Sequence, residues 1–254
     1  ELLVLIPDGS ADDLQMWAGW IVIGVFANTA TQDLVQRMFS AKSSRTAERA
    51  TIAAGVLYIV FGMFPVLLGL AGSLLLDDAI SVGVIPALAE QLFSPTLSVI
   101  FALTLTAAVT SSVDSGLLAP AAVFARNIAG PVLRERVSLI TLTRLSVVGI
   151  AAISAGMAMS GTRAFELIQS TYSHTLPSFI DLAAAVYHKN TRELPGIVTL
   201  GVGLGLWCYE IVGNIVTSDG EPELLSPGFP VILFGSCFLV YWATHWLVTR
   251  IEQE

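Results

Sequence analysis

Between Thr106 and Ser115 the chain sets five hydroxyl side chains, Thr106, Thr110, Ser111, Ser112 and Ser115, beside one carboxylate, Asp114, within ten otherwise apolar residues. Unpaired polar groups are costly in hydrocarbon, where no water can satisfy them. They persist where they face the interior of a helix bundle, and oxygen donors of this kind suit a hard cation such as sodium. A lone hydroxyl in such a segment bonds back to its own helix or lets a neighbouring helix approach closely. Five of them with an aspartate point instead to an ion path.

A second polar cluster interrupts the apolar residues 14–37. Gly19 and Gly24 break up this segment, and Asn28, Thr29, Thr31, Gln32 and Asp33 follow in its second half. A helix unwound near mid-membrane frees backbone N–H and C=O groups, and transporters hold substrate at such breaks. Asn28, Thr29, Thr31 and Gln32 are therefore candidate substrate ligands. The same run costs little if it already lies in the membrane interface, and Asp33 reads as an ordinary i,i+4 partner of Arg37.

A third cluster runs Gln169, Ser170, Thr171, Tyr172, Ser173 and His174, followed by Pro177 and Asp181. Pro177 removes a backbone bond and should kink its helix, so that Tyr172 and Ser173 help to close a cavity. His174 reads as a histidine bonded to a neighbour rather than as a proton carrier. Asp181 must face protein or water. Glu210, beside Tyr209, is placed to snorkel, with no function required of it.

Other chemistries find no support. The sequence has no nucleophile–base pair, P-loop, HExxH or dinucleotide fingerprint, so no enzyme activity and no cofactor is expected. The three histidines, His174, His188 and His245, lie on different segments without metal-ligand spacing, and Cys208 and Cys237 both sit in apolar stretches. No basic cluster is large enough for nucleic acid.

The elements that must position these residues are membrane helices. The chain is 54% hydrophobic and only 13% charged, against about 25% charged for soluble domains. Its net charge of −8 gathers in links and ends, at Glu1, Asp8, Asp12, Asp13, Asp77, Asp78, Asp219, Glu221 and Glu223. With about 20 apolar residues needed to cross the hydrocarbon core, seven spans are expected. They cover residues 14–37, 50–76, 95–124, 139–160, 165–188, 195–216 and 228–248. Arg37, Lys42, Arg45 and Arg49 fill the first link, Arg126, Arg134, Arg136 and Arg144 surround the third, Lys189 and Arg192 occupy the fifth and Arg250 follows the last span, while the second and sixth links hold no Lys or Arg and the fourth only Arg163. The positive-inside rule then makes the odd-numbered links cytoplasmic, with Glu1 outside and the C-terminus inside. The opening at Glu1, without a signal segment, is expected of the C-terminal part of a longer protein.

Two stretches, Gln32 to Ala50 (QDLVQRMFSAKSSRTAERA) and Ala107 to Ile128 (AAVTSSVDSGLLAPAAVFARNI), resemble the sodium/solute symporter family, and within it most closely the high-affinity choline transporter branch. The segments IPALAEQLFSP and GEPELL add weaker agreement. The resemblance implies an all-α integral membrane protein of the five-plus-five, leucine-transporter-like fold. The first five spans would be its second inverted repeat and the last two peripheral. Residues 1–13 would then be an extracellular link, 14–188 the repeat, and 189–254 the two peripheral spans with a short cytoplasmic tail. A first repeat would be missing from this chain. The resemblance also implies sodium ligands at Ala108, through its backbone carbonyl, and at the hydroxyls of Ser111 and Ser112. Asp114 and Ser115 would stand behind them. The choline branch carries a tryptophan just before the glutamine of the first span, where this chain has Thr31. The function expected is sodium-coupled symport of a small polar organic solute by alternating access, in the plasma membrane. A proton-coupled transporter and a non-transporting sensor module are the alternatives.

Overall fold

The structure, a computed structural model, describes residues 6–7, 9–76, 83–133, 136–159, 164–188, 191–217 and 224–251. Among these residues the chain is helical, with no strand. It divides into two compact units, one of Leu3–Val35 with Ala152–Glu254, the other of Glu1–Leu2 with Gln36–Ala151.

The first of these units begins with α1, Ala11–Val22. Its start is fixed by a reciprocal cap. The Ser10 hydroxyl accepts from the Asp13 N–H, and the Asp13 carboxylate accepts from the Ser10 N–H at 2.9 Å. The helix then loosens into a π turn at Ile23–Ala27 and tightens into a 3-10 turn at Asn28–Ala30, before Thr31 takes an extended conformation (ψ 136°). Beyond it α2 runs from Gln32 to Phe39. Three long helices complete the unit: α8 (Ala164–Tyr187), α9 (Glu193–Thr217) and α10 (Phe229–Ile251).

The core of this unit lies where α8 and α10 meet the π turn. Ile23, Ala27, Leu176, Ile180, Leu233, Cys237 and Tyr241 are buried there together. Phe26 stacks on Phe234 at 4.7 Å and tilts against Phe179 at 4.9 Å. Gly19 lets α1 approach α10, since a Cβ on it would touch the Pro230 ring at 3.5 Å. Gly203 does the same for α9, because a Cβ there would run into Pro177 and Cys237.

In the other unit α3 (Ser44–Leu75), α4 (Val84–Leu92), α5 (Pro95–Phe124) and α7 (Leu139–Ala158) follow in order. A π turn (Ala125–Ala129) and a short α6 (Gly130–Val132) extend α5. Ser43 caps α3 and Ser138 caps α7, each by accepting a backbone N–H at 3.2 Å. The short α4 seats Val84 and Leu88 against Gly72 of α3. It also reaches α5 through Ser98, whose hydroxyl donates to the Ala89 carbonyl at 3.3 Å. Apolar side chains stand exposed around α3, as at Tyr58, Ile59, Phe61 and Leu74. A helix that is apolar all round and exposed all round has hydrocarbon as its solvent.

Five helical stretches are long and apolar enough to cross a membrane: Ser44–Gly72, Pro95–Val132, Leu139–Ala158, Glu193–Thr217 and Phe229–Ile251. The molecule is a multi-pass membrane protein. The two other expected spans, 14–37 and 165–188, depart from that standard for physical reasons. The first is cut by its irregular turns. The second, α8, keeps 24 helical residues but carries Glu166, Gln169, His174 and Asp181, and it buries its own polar residues Ser170 and Ser173. The second span also starts six residues earlier than expected, because Ser43 supplies its cap. Of the link and end charges named from the sequence, the basic Arg134, Arg163 and Lys189 and the acidic Glu1, Asp8, Asp77, Asp78, Asp219, Glu221 and Glu223 lie outside the described residues.

Candidate functional site

On α5 the hydroxyl cluster sorts into two groups by helical phase. At about 100° per residue, Ala108, Ser111, Ser112 and Ser115 share one face. Thr110, Thr106 and Asp114 centre about 150° away on the far flank, with Asp114 nearest the first face. On the flank the threonines are satisfied within the helix: Thr106 donates to the Ala102 carbonyl and Thr110 to the Thr106 carbonyl, each at 2.8 Å. On the first face the Ser112 hydroxyl donates to the Ala108 carbonyl at 3.3 Å, a back-bond of the same kind, which sets two of the three expected sodium ligands next to each other. Ser111 is one turn on from Ala108, and its hydroxyl makes no hydrogen bond among the described residues. Each of these residues, with Asp114 and Ser115, is exposed on α5. The face thus offers hard oxygen donors, the donor class that Na⁺ takes.

The second candidate region is the break in the first span. Residues 28–31 leave the α-helix, and their own hydroxyls stabilise the departure. Thr29 donates to the Phe26 carbonyl at 2.7 Å and Thr31 to the Asn28 carbonyl at 2.9 Å. Asn28 and Thr29 are exposed and Thr31 is half-buried, while Ala27 is fully buried. The side chains of Gln32 and Asp33 lie outside what the structure describes. The two glycines expected to unwind the span play other parts: Gly19 is a packing contact inside α1, and Gly24 sits within the π turn.

Helix α8 holds this break in place. The Thr175 hydroxyl donates to the Ala27 carbonyl at 3.1 Å while also lying 2.7 Å from its own Tyr172 carbonyl. That bond, between residues 148 positions apart, brings the two expected substrate clusters together. Tyr172 is half-buried beside the core, and Ser173 is fully buried, with its hydroxyl donating to the Gln169 carbonyl at 2.9 Å. Ser173 therefore serves helix packing within this unit, whereas Asn28, Thr29 and Tyr172 keep accessible surface. Across Pro177 the helix runs on unbroken, and the buried proline ring packs against Gly203.

Several polar side chains have structural partners that the sequence did not reveal. His174 bonds the Thr171 carbonyl through Nδ1 and tilts against Trp207 at 5.6 Å. Trp207 in turn donates its indole N–H to the Ser170 carbonyl at 2.9 Å, tying α9 to α8. Glu210 does more than snorkel: its Oε1 accepts the Ser226 N–H at 3.0 Å and anchors the approach to α10. Asp181 faces Gly196 of α9, and both its carboxylate oxygens are buried without a hydrogen-bond partner among the described residues. Thr175 is the residue that sequence reasoning missed. Its signal was present, since it lies two and three residues beyond Ser173 and Tyr172.

The sequence profile of the sodium:solute symporter family matches residues 8–191, a stretch running from before α1 to beyond α8. No curated protein sequence and no solved structure matches the chain.

Proposed function

Because this chain belongs to the sodium:solute symporter family, whose activity is solute transport coupled to sodium, we propose that it carries a small polar organic solute across the plasma membrane by alternating access. The observation that carries the reading is the oxygen face of α5, where the Ala108 carbonyl and Ser112 hydroxyl lie 3.3 Å apart with Ser111 one turn along. Sodium binds there through these three oxygens, and Asp114 and Ser115 tune the site from beside it. A hard cation takes more than three oxygens, so the shell is completed from another helix. The family resemblance assigns those ligands to a first repeat, with residues 14–188 as the second. Glu1 then lies outside and the C-terminus inside, and seven spans cross the bilayer.

The solute is held at the break of the first span. Asn28, Thr29 and Thr31 supply its polar groups with Tyr172 of α8, and Gln32 is the further ligand that the sequence suggests. Sodium favours the substrate-ready state only by as much as it binds that state more tightly than the other. Thr31, in place of the tryptophan of the choline branch, removes one wall of a cage for a quaternary ammonium group. The substrate class is accordingly kept to small polar solutes.

The test uses the full-length protein reconstituted in liposomes. A panel of small polar solutes should show uptake that requires an inward sodium gradient. Ser111→Ala and Ser112→Ala should each raise the sodium concentration for half-maximal uptake, since each removes one ligand. Uptake indifferent to sodium, or unchanged sodium dependence in both variants, would overturn the assignment.

A further inference from the structure

Two histidines that are 57 residues apart in sequence meet where the end of α8 packs on α10. The ring centres of His188 and His245 are 4.8 Å apart, and their planes cross at 82°. His245 is only 9% exposed. The Nδ1 atoms of both rings are buried with no hydrogen-bond partner among the described residues. Trp242 presents an edge-on ring to both, at 5.5 Å from His188 and 5.7 Å from His245, and Tyr241 stacks parallel on His245 at 6.2 Å. Aromatic walls give these nitrogens no hydrogen-bonding partner and fix the orientation of both imidazoles.

From this geometry we propose that His188 and His245 form a binding site for a borderline transition-metal dication of the Zn²⁺, Cu²⁺ or Ni²⁺ class. Neutral imidazole is a preferred ligand for these ions, whereas Mg²⁺ and Ca²⁺ demand oxygen donors. Two imidazoles bound to one tetrahedral ion, with metal–nitrogen bonds of about 2.1 Å, have ring centres about 5 Å apart. The observed separation already meets that requirement. Asp181, the nearest carboxylate on α8, sits seven residues deeper and is not a ligand.

A cavity of 260 Å³ lined mainly by apolar side chains, among them Tyr187, Phe238, Tyr241 and Trp242, reaches His188, while His245 lies behind its wall. Two protein ligands leave the remaining positions to water, so the site is exchangeable and its occupancy follows metal concentration. Because its two ligands sit on different helices, a bound ion clamps α8 to α10. The site uses none of the residues proposed for sodium or solute, and its existence does not depend on what the protein transports.

The test is a titration of the purified, chelator-treated protein in detergent with Co²⁺, followed by ligand-field absorption, and with Zn²⁺, followed by calorimetry. One saturable site is expected that His188→Gln and His245→Gln each abolish and His174→Gln preserves. Zn²⁺ should raise the melting temperature of the wild-type protein and of His174→Gln but not of the other two. If those two variants elute as folded protein and still bind, or if the wild-type protein shows no saturable site, the proposal is overturned. Should either variant fail to fold, protection of His188 and His245 from diethylpyrocarbonate by Zn²⁺ in the wild-type protein decides the matter, and equal modification with and without the ion refutes it.

Discussion

Gly203→Ala should destabilise the contact between α8, α9 and α10, although alanine is the better helix former. A Cβ at position 203 would lie 2.8 Å from the Pro177 Cβ and 3.1 Å from the Cys237 Sγ, and closer still to the Pro177 Cγ. The proline ring cannot rotate away, and Cys237 is itself fully buried. Helix α9 must therefore shift outward. Overpacking of this kind costs about 1–3 kcal/mol. At roughly 2–4 °C per kcal/mol for a domain of this size, the melting temperature should fall by about 2–12 °C. The assay is thermal unfolding in detergent, followed by tryptophan fluorescence or by loss of the monodisperse elution peak. Gly201→Ala and Gly205→Ala are matched controls on the same helix, because no atom lies within 4 Å of a Cβ at either position. Both should melt at or slightly above wild type, as Gly→Ala in a helix gains about 0.5–1 kcal/mol. Adding Pro177→Ala to Gly203→Ala should recover part of the loss and show a coupling of at least about 0.5 kcal/mol. If Gly203→Ala melts together with its two controls, the three-helix contact is wrong.

Thr175→Val removes the one hydroxyl that ties the broken first span to α8 and leaves the Ala27 carbonyl without that donor. A loss of about 0.5–1.5 kcal/mol should raise the half-saturating solute concentration in uptake by roughly 2- to 10-fold, while Thr171→Val, on an exposed hydroxyl bonded only to its own helix, should change nothing. Asp181→Asn keeps the side-chain shape and removes a charge whose oxygens have no partner among the described residues. Relief of about 1 kcal/mol or more should raise the melting temperature in detergent, and a fall would show that Asp181 has a partner it depends on.

The helices were legible because their signals are local and repeated. Apolar runs and Pro95 at the head of α5 mark boundaries well, whereas the cap at Ser43 went unread and α3 begins six residues before its expected start. That Ala108, Ser111, Ser112 and Ser115 share a helical face was legible for the same reason, since the spacing fixes it whatever surrounds the helix, while their reading as a sodium site came from the family resemblance. Sequence could not show the back-bonds by which Thr106, Thr110 and Ser112 are satisfied within the helix. Of the two glycines expected to interrupt the first span, Gly24 lies in the π turn and Gly19 does not. Glycine is permissive, yet Gly19 stays helical because Pro230 packs on it, whereas Asn28, Thr29 and Thr31 actively bond the chain out of its helix. What escaped entirely was pairing at long range. Thr175 with Ala27, Trp207 with Ser170, Glu210 with Ser226, and His188 with His245 are contacts between helices, and no local period encodes which helix faces which.

The polarity of α8 bears on how the protein is made. A segment with Glu166, His174 and Asp181 cannot partition from the translocon into lipid by its own hydrophobicity, because each charged residue at the helix centre costs about 2.5–3.5 kcal/mol. Some of its partners, Phe26 and Ala27, precede it, but Trp207 and Gly203 on α9 and Leu233 and Cys237 on α10 are encoded downstream. During synthesis α8 therefore has to wait at the insertion site until α9 and α10 have emerged, and it leaves with them as one cooperative parcel. Ribosomes stalled where α8 but not α9 has cleared the exit tunnel should hold α8 accessible to aqueous reagents, and release of the rest of the chain should bury it.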